Sequence, residues 1–299
     1  MPETIEAYLA ELRTALAGAD PALVQDAVYD AEEYLRSAAA ENGGTPEAVA
    51  EAIDAYGTPA EIAAAYRETE RTVTAALRRP AAPSSKSTNP FARFFGVVAD
   101  PAAWGALFYM LLSLLTGVLY FTVVVTGLSL SAGLFILIIG VPVALLFIGA
   151  VRAISLAEGR IVEGLLGQRM PRRPRTVVVA DGTIWGRLKS WFSDYRTWTT
   201  MLYMLLMLPL GITYFTVVVS ALAVSVATFA LPIVQWVANS PVIRINGWGY
   251  LVEPWGAPFF FAGGLLGVFL TLWLAKGIGY LHGLFAKVML VGRFEGGAQ

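Results

Sequence analysis

Apolar and polar positions divide the chain into two contrasting parts. From residue 101 onward the chain is mostly apolar, and long stretches carry no charged side chain. In residues 1–79 apolar side chains instead recur at helical spacing among many charged ones. The first such series is Ile5, Leu9, Leu12 and Leu16. This pattern predicts a small helical domain at 1–79, a Pro- and Ser-rich linker at 80–90 and a membrane domain at 91–295.

Helix start and stop signals divide the first 79 residues into four helices. Asp20-Pro21 and Thr45-Pro46 each place a capping side chain before a proline at the first helical position. Gly43 and Gly44 follow the second predicted helix and end it. Thr58 and Glu61 have the spacing of a capping box at the start of the fourth.

The charge-free stretches predict four membrane spans, because about 20 apolar residues are enough to cross a bilayer. The spans are expected near residues 104–126, 132–154, 199–222 and 257–280. Polar and glycine residues at 126–131 separate the first two spans, and residues 222–256 form an outer loop between the last two. An alternative makes 223–238 a separate fifth span. The predicted fold class is all-α, with a small helical bundle followed by a four-helix transmembrane bundle.

The membrane domain repeats itself. Residues 100–128 and 194–222 align at a constant offset of 94, and 15 of the 29 positions are identical. Identities at Asp, Trp and Tyr positions indicate a duplication rather than shared apolar character. The copies cover 91–167 and 185–292. Past the second span the offset grows to 125, so the second copy carries 31 additional residues in its outer loop.

Charge is distributed unevenly along the chain. Residues 1–70 hold 15 acidic and 3 basic side chains, whereas residues 71–299 hold 7 acidic and 18 basic ones. Eight of the basic side chains lie between residues 160 and 196, and the outer loops contain only Arg244. By the positive-inside rule, both termini and the middle loop face the cytoplasm, and the two repeats have parallel topology. The basic middle loop could also attract anionic lipids.

Three groups of side chains are candidates for function. The first, in the outer loop, could form a sensing pocket or an aromatic belt: Trp236, Arg244, Trp248, Tyr250, Glu253 and Trp255. The second lies at the cytoplasmic membrane interface and could relay motion or act as an anchor: Trp104, Trp185, Trp191, Asp194 and Trp198. The third could bind a basic protein partner: Asp26, Asp30, Glu33 and Glu61.

Several kinds of chemistry have little support in the sequence. The chain has no cysteine and one histidine, His282, which lies near the end of the fourth span and is assigned no role. No charged residue falls in the middle of a predicted span, whereas ion-coupled carriers generally need one. We therefore expect no enzyme activity, cofactor or metal.

Two glycine pairs, Gly263/Gly267 and Gly279/Gly283, favour close helix packing within the bundle or in a homodimer.

Two segments carry family resemblances. YLAELRTAL (8–16), AVYDAEEYL (27–35) and above all YGTPAEIAAAY (56–66) resemble the bacterial HAAS domain, a helical signalling module. Tyr56 replaces the usual Leu of the family pattern, and Tyr34 stands where many members have His. The resemblance implies a cytoplasmic PadR-type transcriptional regulator as partner. The net acidic charge of the module disfavours direct binding to nucleic acid.

Residues 91–295 resemble the sensor domain that is attached to many bacterial histidine kinases. The matching features are the Asp-x-x-x-Trp entry, a Tyr followed eight residues later by Gly, and IIGVPVALL (138–146). The resemblance implies signal reception and relay in the bacterial cytoplasmic membrane, without kinase activity of its own. The predicted function is thus a membrane sensor that relays an envelope cue to a cytoplasmic regulator. The alternatives are a small transporter or lipid-handling protein, and a passive anchor or assembly factor.

Overall fold

The computed structural model describes residues 2–77, 90–134, 140–173, 193–246 and 248–291. Within these residues the protein is all-α apart from one short β-hairpin, which confirms the predicted fold class.

Residues 2–77 form a bundle of four helices, which we call the N-domain. The helices are α1 (Ile5–Ala15), α2 (Pro21–Glu41), α3 (Pro46–Tyr56) and α4 (Pro59–Leu77). Thr4, Asp20 and Thr45 each accept a backbone N–H at a helix start, since these short side chains fold back onto the first turn. The predicted capping box also forms, because the Thr58 N–H donates to Glu61 Oε2 at 3.0 Å and the Glu61 N–H donates to Thr58 Oγ1 at 3.3 Å.

One face of each helix supplies the N-domain core. Leu12, Leu16, Leu35 and Ile53 are fully buried there, at the helical spacing seen in the sequence. Tyr8 is buried among them, and its hydroxyl donates to the carbonyl oxygen of Gly57 at 2.8 Å. This bond ties α1 to the turn between α3 and α4.

Four long helices follow a short entry segment. The entry consists of α5 (Pro90–Phe95) and a 3₁₀-helix (Gly96–Ala99). The long helices are α6 (Pro101–Leu134), α7 (Gly140–Leu166), α8 (Tyr195–Ala238) and α9 (Ala257–Leu290). Each is long and apolar enough to cross a membrane. The chain is therefore a multi-pass membrane protein.

The helices extend past the predicted spans. Residues 126–131 do not separate two spans but continue α6 to Leu134. Gly127 lies in this segment because the Phe147 ring of α7 occupies the space that a Cβ would need, so the glycine serves helix packing rather than a turn. Residues 223–238 likewise continue α8 and form no separate fifth span among the described residues. The outer loop thus begins at Asn239, in the left-handed conformation, rather than at 222.

The two repeats form two helix hairpins, α6–α7 and α8–α9, that meet along α6 and α8. A Cβ on Gly117 of α6 would lie 2.5 Å from the carbonyl oxygen of Met207, and a Cβ on Gly211 of α8 would meet the carbonyl oxygen of Ser113. These are equivalent contacts, since both pairs of positions are related by the 94-residue offset. The first helices of the two repeats therefore cross with their backbones in contact.

Glycines also set the packing of α9. A Cβ on Gly279 would lie 2.7 Å from that of Ala106, and one on Gly283 would lie 2.5 Å from Cγ of Gln168. Gly267 faces Ser225. Gly263, in contrast, has only an ordinary contact at 3.9 Å, and its neighbour Gly264 makes the close approach to α8 instead.

A β-hairpin closes the outer connection between α8 and α9. Strand β1 (Ile243–Ile245) pairs with β2 (Trp248–Tyr250), and Asn246 takes a positive φ of 52° in the turn. The Gln235 side chain holds the loop to α8, because its amide donates to the Val252 carbonyl at 2.9 Å and accepts the Val252 N–H at 2.8 Å. We call this the hairpin end of the bundle, and the opposite end the N-domain end.

Candidate functional site

A buried carboxylate lies inside the membrane bundle. Glu158 of α7 is fully buried, two helical turns from the N-domain end of its helix. Its Oε1 accepts the hydroxyls of Tyr109 at 2.6 Å and Tyr203 at 2.8 Å, and its Oε2 accepts that of Tyr120 at 2.7 Å. Glu158 lies beyond the predicted second span, which was expected to end at 154, because the helix extends to Leu166.

His282 of α9 completes the same group. Its side chain is buried, and Nε2 lies 2.7 Å from the Tyr109 hydroxyl and 3.1 Å from the Tyr203 hydroxyl. Nδ1 lies 3.2 Å from the Tyr214 hydroxyl. All four long helices therefore contribute to one polar group, which we call the Glu158 cluster. Its members are Tyr109, Tyr120, Glu158, Tyr203, Tyr214 and His282.

Donor counting assigns the protons of the Glu158 cluster. Tyr109 and Tyr203 each have one O–H and give it to the carboxylate, so their oxygens can only accept from His282 Nε2–H. Nδ1 of the neutral imidazole is then an acceptor, and Tyr214 donates to it. In this arrangement an ionised Glu158 and a neutral His282 leave no polar atom of the cluster unpaired.

The duplication explains four of the six members of the Glu158 cluster. Tyr109 and Tyr203 are equivalent positions of the two repeats, and so are Tyr120 and Tyr214. Glu158 and His282 are not equivalent, since at the 125-residue offset Glu158 corresponds to Gly283. The four tyrosines are thus a repeated frame around two groups that each occur once. Their identity in both copies was the sequence signal that could have indicated a site.

A second polar contact joins the membrane bundle to the N-domain through the segment after α7, residues 167–173, which we call the docking loop. Asp26 of α2 is buried there and accepts three bonds from it. Its Oδ1 receives the backbone N–H groups of Arg172 at 2.6 Å and Arg173 at 2.8 Å, and its Oδ2 receives Arg169 Nη2 at 3.1 Å. Burial raises the pKa of Asp26, and these three bonds offset only part of that rise.

Arg169 is the centre of this contact. Besides Asp26 it pairs with Glu70 of α4 at 3.1 Å and with Glu163 of α7 at 3.6 Å. Burial alone would lower its pKa, but the carboxylates around it outweigh burial and raise it. Arg169 thus joins two N-domain helices to a membrane helix.

Two further ion pairs extend the docked surface. Arg173 lies 2.8 Å from Asp30, and Lys287 of α9 pairs with Asp20 at the start of α2. The Gln25 side chain donates to the Arg173 carbonyl at 2.9 Å. The acidic face of α2 is therefore covered by basic groups of the same chain.

Comparison with protein families identifies both parts. Residues 109–290 match the family described as Putative sensor. The chain belongs to this sensor family. Residues 7–65 match the HAAS family, so the N-domain is a HAAS domain. No curated protein and no solved structure matches the chain. Neither family is enzymatic, and together they make the protein a membrane sensor or signalling protein.

The structure separates the acidic candidates of the HAAS domain. Asp26 and Asp30 lie together in the docked surface. Glu33 is exposed, and Glu61 caps α4 through Thr58, whose hydrogen bonds lower the pKa of the Glu61 carboxyl. These four residues do not form one site.

The interfacial candidates of the sensor domain occupy matched positions. Trp104 and Trp198 are equivalent residues, and each is 48% exposed. Asp194 caps α8 through the Arg196 N–H at 3.2 Å, as Asp100 caps α6 through the Ala102 N–H at 2.9 Å. Trp185 and Trp191 lie outside the described residues.

The outer aromatic candidates do not converge on one pocket. Trp236 lies on the last turn of α8 rather than in the loop, and it is exposed. Trp248, Tyr250, Glu253 and Trp255 are exposed as well. Arg244 pairs with Gly249 through the backbone of β1, and its side chain lies outside the described atoms.

Proposed function

We propose that this membrane sensor relays an envelope cue to a cytoplasmic regulator through its HAAS domain, without kinase activity of its own. The excess of Lys and Arg at the N-domain end supports an orientation with both termini in the cytoplasm of a bacterium. The hairpin end then faces the envelope. The HAAS family associates with regulators in general, and the family pairing suggests a PadR-type repressor.

One observation carries this proposal. The acidic face of the HAAS domain, which suits a basic partner, is bound by Arg169, Arg173 and Lys287 of the same chain. A regulator that uses this face must compete with the docking loop. A cue that weakens docking therefore raises the affinity for the regulator, and the relay needs no catalytic step.

The hairpin end is the proposed input. Its exposed aromatic side chains and hairpin are the largest outer element, and Gln235 fixes the loop to α8. Helix α8 then continues without a break to Tyr195 at the N-domain end. At 1.5 Å per residue its 44 residues span about 66 Å, so one helix, with Pro209 and Pro232 inside it, connects the hairpin end to the N-domain end.

Anionic lipid is a proposed competitor rather than a second partner. The side chains of Arg169 and Arg173 already pair with Asp26 and Asp30 of the HAAS domain, so a lipid headgroup that binds them would favour release. Direct binding of nucleic acid is not proposed, because the HAAS domain is strongly acidic.

Regulator capture tests the proposal. Full-length protein in nanodiscs serves as bait in cytosolic extract, and bound proteins are identified by mass spectrometry. The Arg169→Ala/Arg173→Ala variant should recover more of a winged-helix regulator than the wild type, because its acidic face is held less tightly by the docking loop. Asp26→Asn/Asp30→Asn should recover less. Glu33→Gln, an exposed change on the same helix, should match the wild type. Recovery of no such regulator by any variant, at low and moderate salt, would sink the proposal.

The Glu158 cluster gives the transporter alternative new support. Titratable groups buried between membrane helices are common in proton-coupled carriers. Proteoliposomes with an imposed pH gradient and a pH-sensitive dye would test it. Dissipation that requires Glu158 would favour a carrier, and an undiminished gradient would exclude proton conduction.

A further inference from the structure

The carboxylate and the imidazole of the Glu158 cluster lie on the same helices as the docking charges, at the same spacing. Glu158 precedes Glu163 by five residues on α7, and His282 precedes Lys287 by five residues on α9. Five residues correspond to about 7.5 Å along a helix. Glu163 holds Arg169 and Arg172 of the docking loop, at 3.6 and 3.3 Å. Lys287 holds Asp20 of the HAAS domain.

We propose that the Glu158 cluster is a proton-binding site whose occupancy controls docking of the HAAS domain. The ligand is the proton, and the groups that exchange it are Glu158 and His282. The inference rests on the proposed relay function, in which docking of the HAAS domain determines the output.

Burial makes the protonation state of this group matter. An ionised carboxylate between membrane helices is costly unless donors satisfy it, and Glu158 receives three phenol hydroxyls from two neighbouring helices. Each of these bonds is charge-assisted and therefore stronger than a bond between neutral groups. A proton on the carboxylate weakens all three bonds at once, and α6, α7 and α8 lose part of their connection.

A proton on His282 disturbs the contact between His282 of α9 and Tyr214 of α8. In the docked structure Nδ1 accepts from Tyr214, so a second ring proton faces a hydroxyl that already donates. The groups facing His282 are Tyr109 from α6, Tyr203 and Tyr214 from α8, and Phe285 from its own helix. Glu158 of α7 reaches it through the two tyrosines at Nε2. Proton uptake therefore forces the Tyr214 hydroxyl to turn or α8 and α9 to shift.

The docked structure corresponds to ionised Glu158 and neutral His282, so we expect acidification to release the HAAS domain. Typical coupling between two sites changes an equilibrium by 5- to 150-fold. The ratio of docked to released protein should accordingly fall about tenfold between about pH 7 and pH 4. The cluster lies nearer the N-domain end than the hairpin end, so protons from the cytoplasmic side have the shorter path in the proposed orientation.

A distance measurement tests this directly. The chain has no cysteine, so Glu51→Cys on the HAAS domain and Leu115→Cys on α6 can be spin-labelled specifically. Both positions are exposed and outside the docked surface. Pulsed electron resonance on the full chain in nanodiscs then reports docking without any regulator. We expect a narrow distance distribution at the higher pH and a broad, longer one at the lower pH.

Variants of the cluster separate a proton site from a general acid effect. Glu158→Gln and His282→Gln nearly keep the side-chain volume, and each removes one of the two exchanging groups. Each variant should therefore respond less than the wild type, and the double variant should show the same distribution at the two pH values. Ser155→Ala is the matched control, because the hydrogen bond of its hydroxyl within the described residues goes to the Arg152 carbonyl of its own helix. It should respond as the wild type does. The proposal would be overturned if the wild-type distribution does not change or narrows on acidification. It would also be overturned if the Gln variants respond as strongly as the wild type.

The single histidine provides a test that needs no substitution in the cluster. In a chain labelled with ¹⁵N-histidine and purified without a histidine tag, the imidazole signal belongs to His282 alone. Its protonation should follow the docked fraction across the same pH range. A histidine signal that stays constant while docking changes would contradict the assignment.

The distance measurement and the regulator capture can fail independently of each other. A pH-dependent distance without regulator capture would leave the proton site in place and reject the relay, whereas capture with a pH-independent distance would do the reverse.

Discussion

The two membrane repeats agree at their crossing and differ at their N-domain end. In the first repeat Gly117 meets the backbone of Met207, and in the second Gly211 meets that of Ser113. Each repeat also places two tyrosines toward the centre of the bundle. Beyond that frame, the first repeat supplies a carboxylate and the second an imidazole, at positions that are not equivalent.

This comparison separates the features that both repeats need for packing from the features that only one repeat carries. Close backbone packing and the tyrosine frame are needed twice, because the two hairpins bury the same face against each other. The charged groups are needed once, since two carboxylates in one buried frame would repel each other. The contacts to the HAAS domain differ in the same way, as one repeat uses the docking loop and the other uses Lys287.

Removal of the single carboxylate should have the largest effect on the bundle. Glu158→Leu leaves three buried phenol hydroxyls without their acceptor, which should cost at least about 3 kcal/mol of unfolding free energy. Unfolding of the full chain in mixed detergent, followed by circular dichroism, measures it. Ser155→Ala on the same helix should stay within about 0.5 kcal/mol of the wild type. Equal stability of the Leu variant and the wild type would show that the frame does not depend on its central group.

The two docking contacts should differ in strength. Arg169 is mostly buried among three carboxylates, so Arg169→Ala should weaken docking by about 3 kcal/mol. Lys287 and Asp20 are about a quarter exposed, so Lys287→Ala should cost about 1 kcal/mol or less. Hydrogen exchange of α2 in the full chain reports the docked fraction. Arg71→Ala, an exposed change on α4, should leave exchange unaltered, and equal effects of the first two variants would contradict the asymmetry.

The helix crossing should instead respond symmetrically. Gly117→Ala and Gly211→Ala each force a methyl group against a neighbouring backbone, and each should cost about 2 kcal/mol. Gly149→Ala on α7 is the matched control, because a Cβ there meets nothing within 4 Å. Thermal unfolding in one detergent compares the three. Effects of the two crossing variants that differ by more than about 1 kcal/mol would show that the repeats do not share the contact equally.

The smallest expected effect separates equivalent tyrosines. Tyr120 donates to the carboxylate and Tyr214 to the imidazole. A bond to a charged group is worth more, so Tyr120→Phe should destabilise by about 2 kcal/mol and Tyr214→Phe by about 1 kcal/mol. In a Glu158→Gln background the difference should shrink, because the acceptor is then neutral. If the difference is unchanged in that background, the carboxylate is not its cause.

Sequence reasoning recovered the parts that depend on local patterns. The charge-free stretches predicted the four membrane helices, and capping signals such as Asp20-Pro21 and Thr58–Glu61 predicted helix starts that the structure contains. It failed at residues 126–131, which were predicted to separate two spans, and at residues 223–238, which were assigned to the outer loop, because both segments continue long helices. A glycine in an apolar segment can either end a helix or allow a neighbouring helix to pack closely. At Gly127 only the position of the Phe147 ring shows that the second role applies.

The sequence by itself determined that the chain is an acidic helical domain followed by a duplicated membrane bundle, because periodicity, caps and charge balance are properties of neighbouring residues. Only the tertiary structure decided that Asp26 docks onto Arg169 and that Glu158 meets His282, residues 143 and 124 positions apart. Tyr109 bridges the latter pair. Such contacts depend on how whole helices are placed, and the local pattern around one charged residue contains no information about which distant residue will satisfy it.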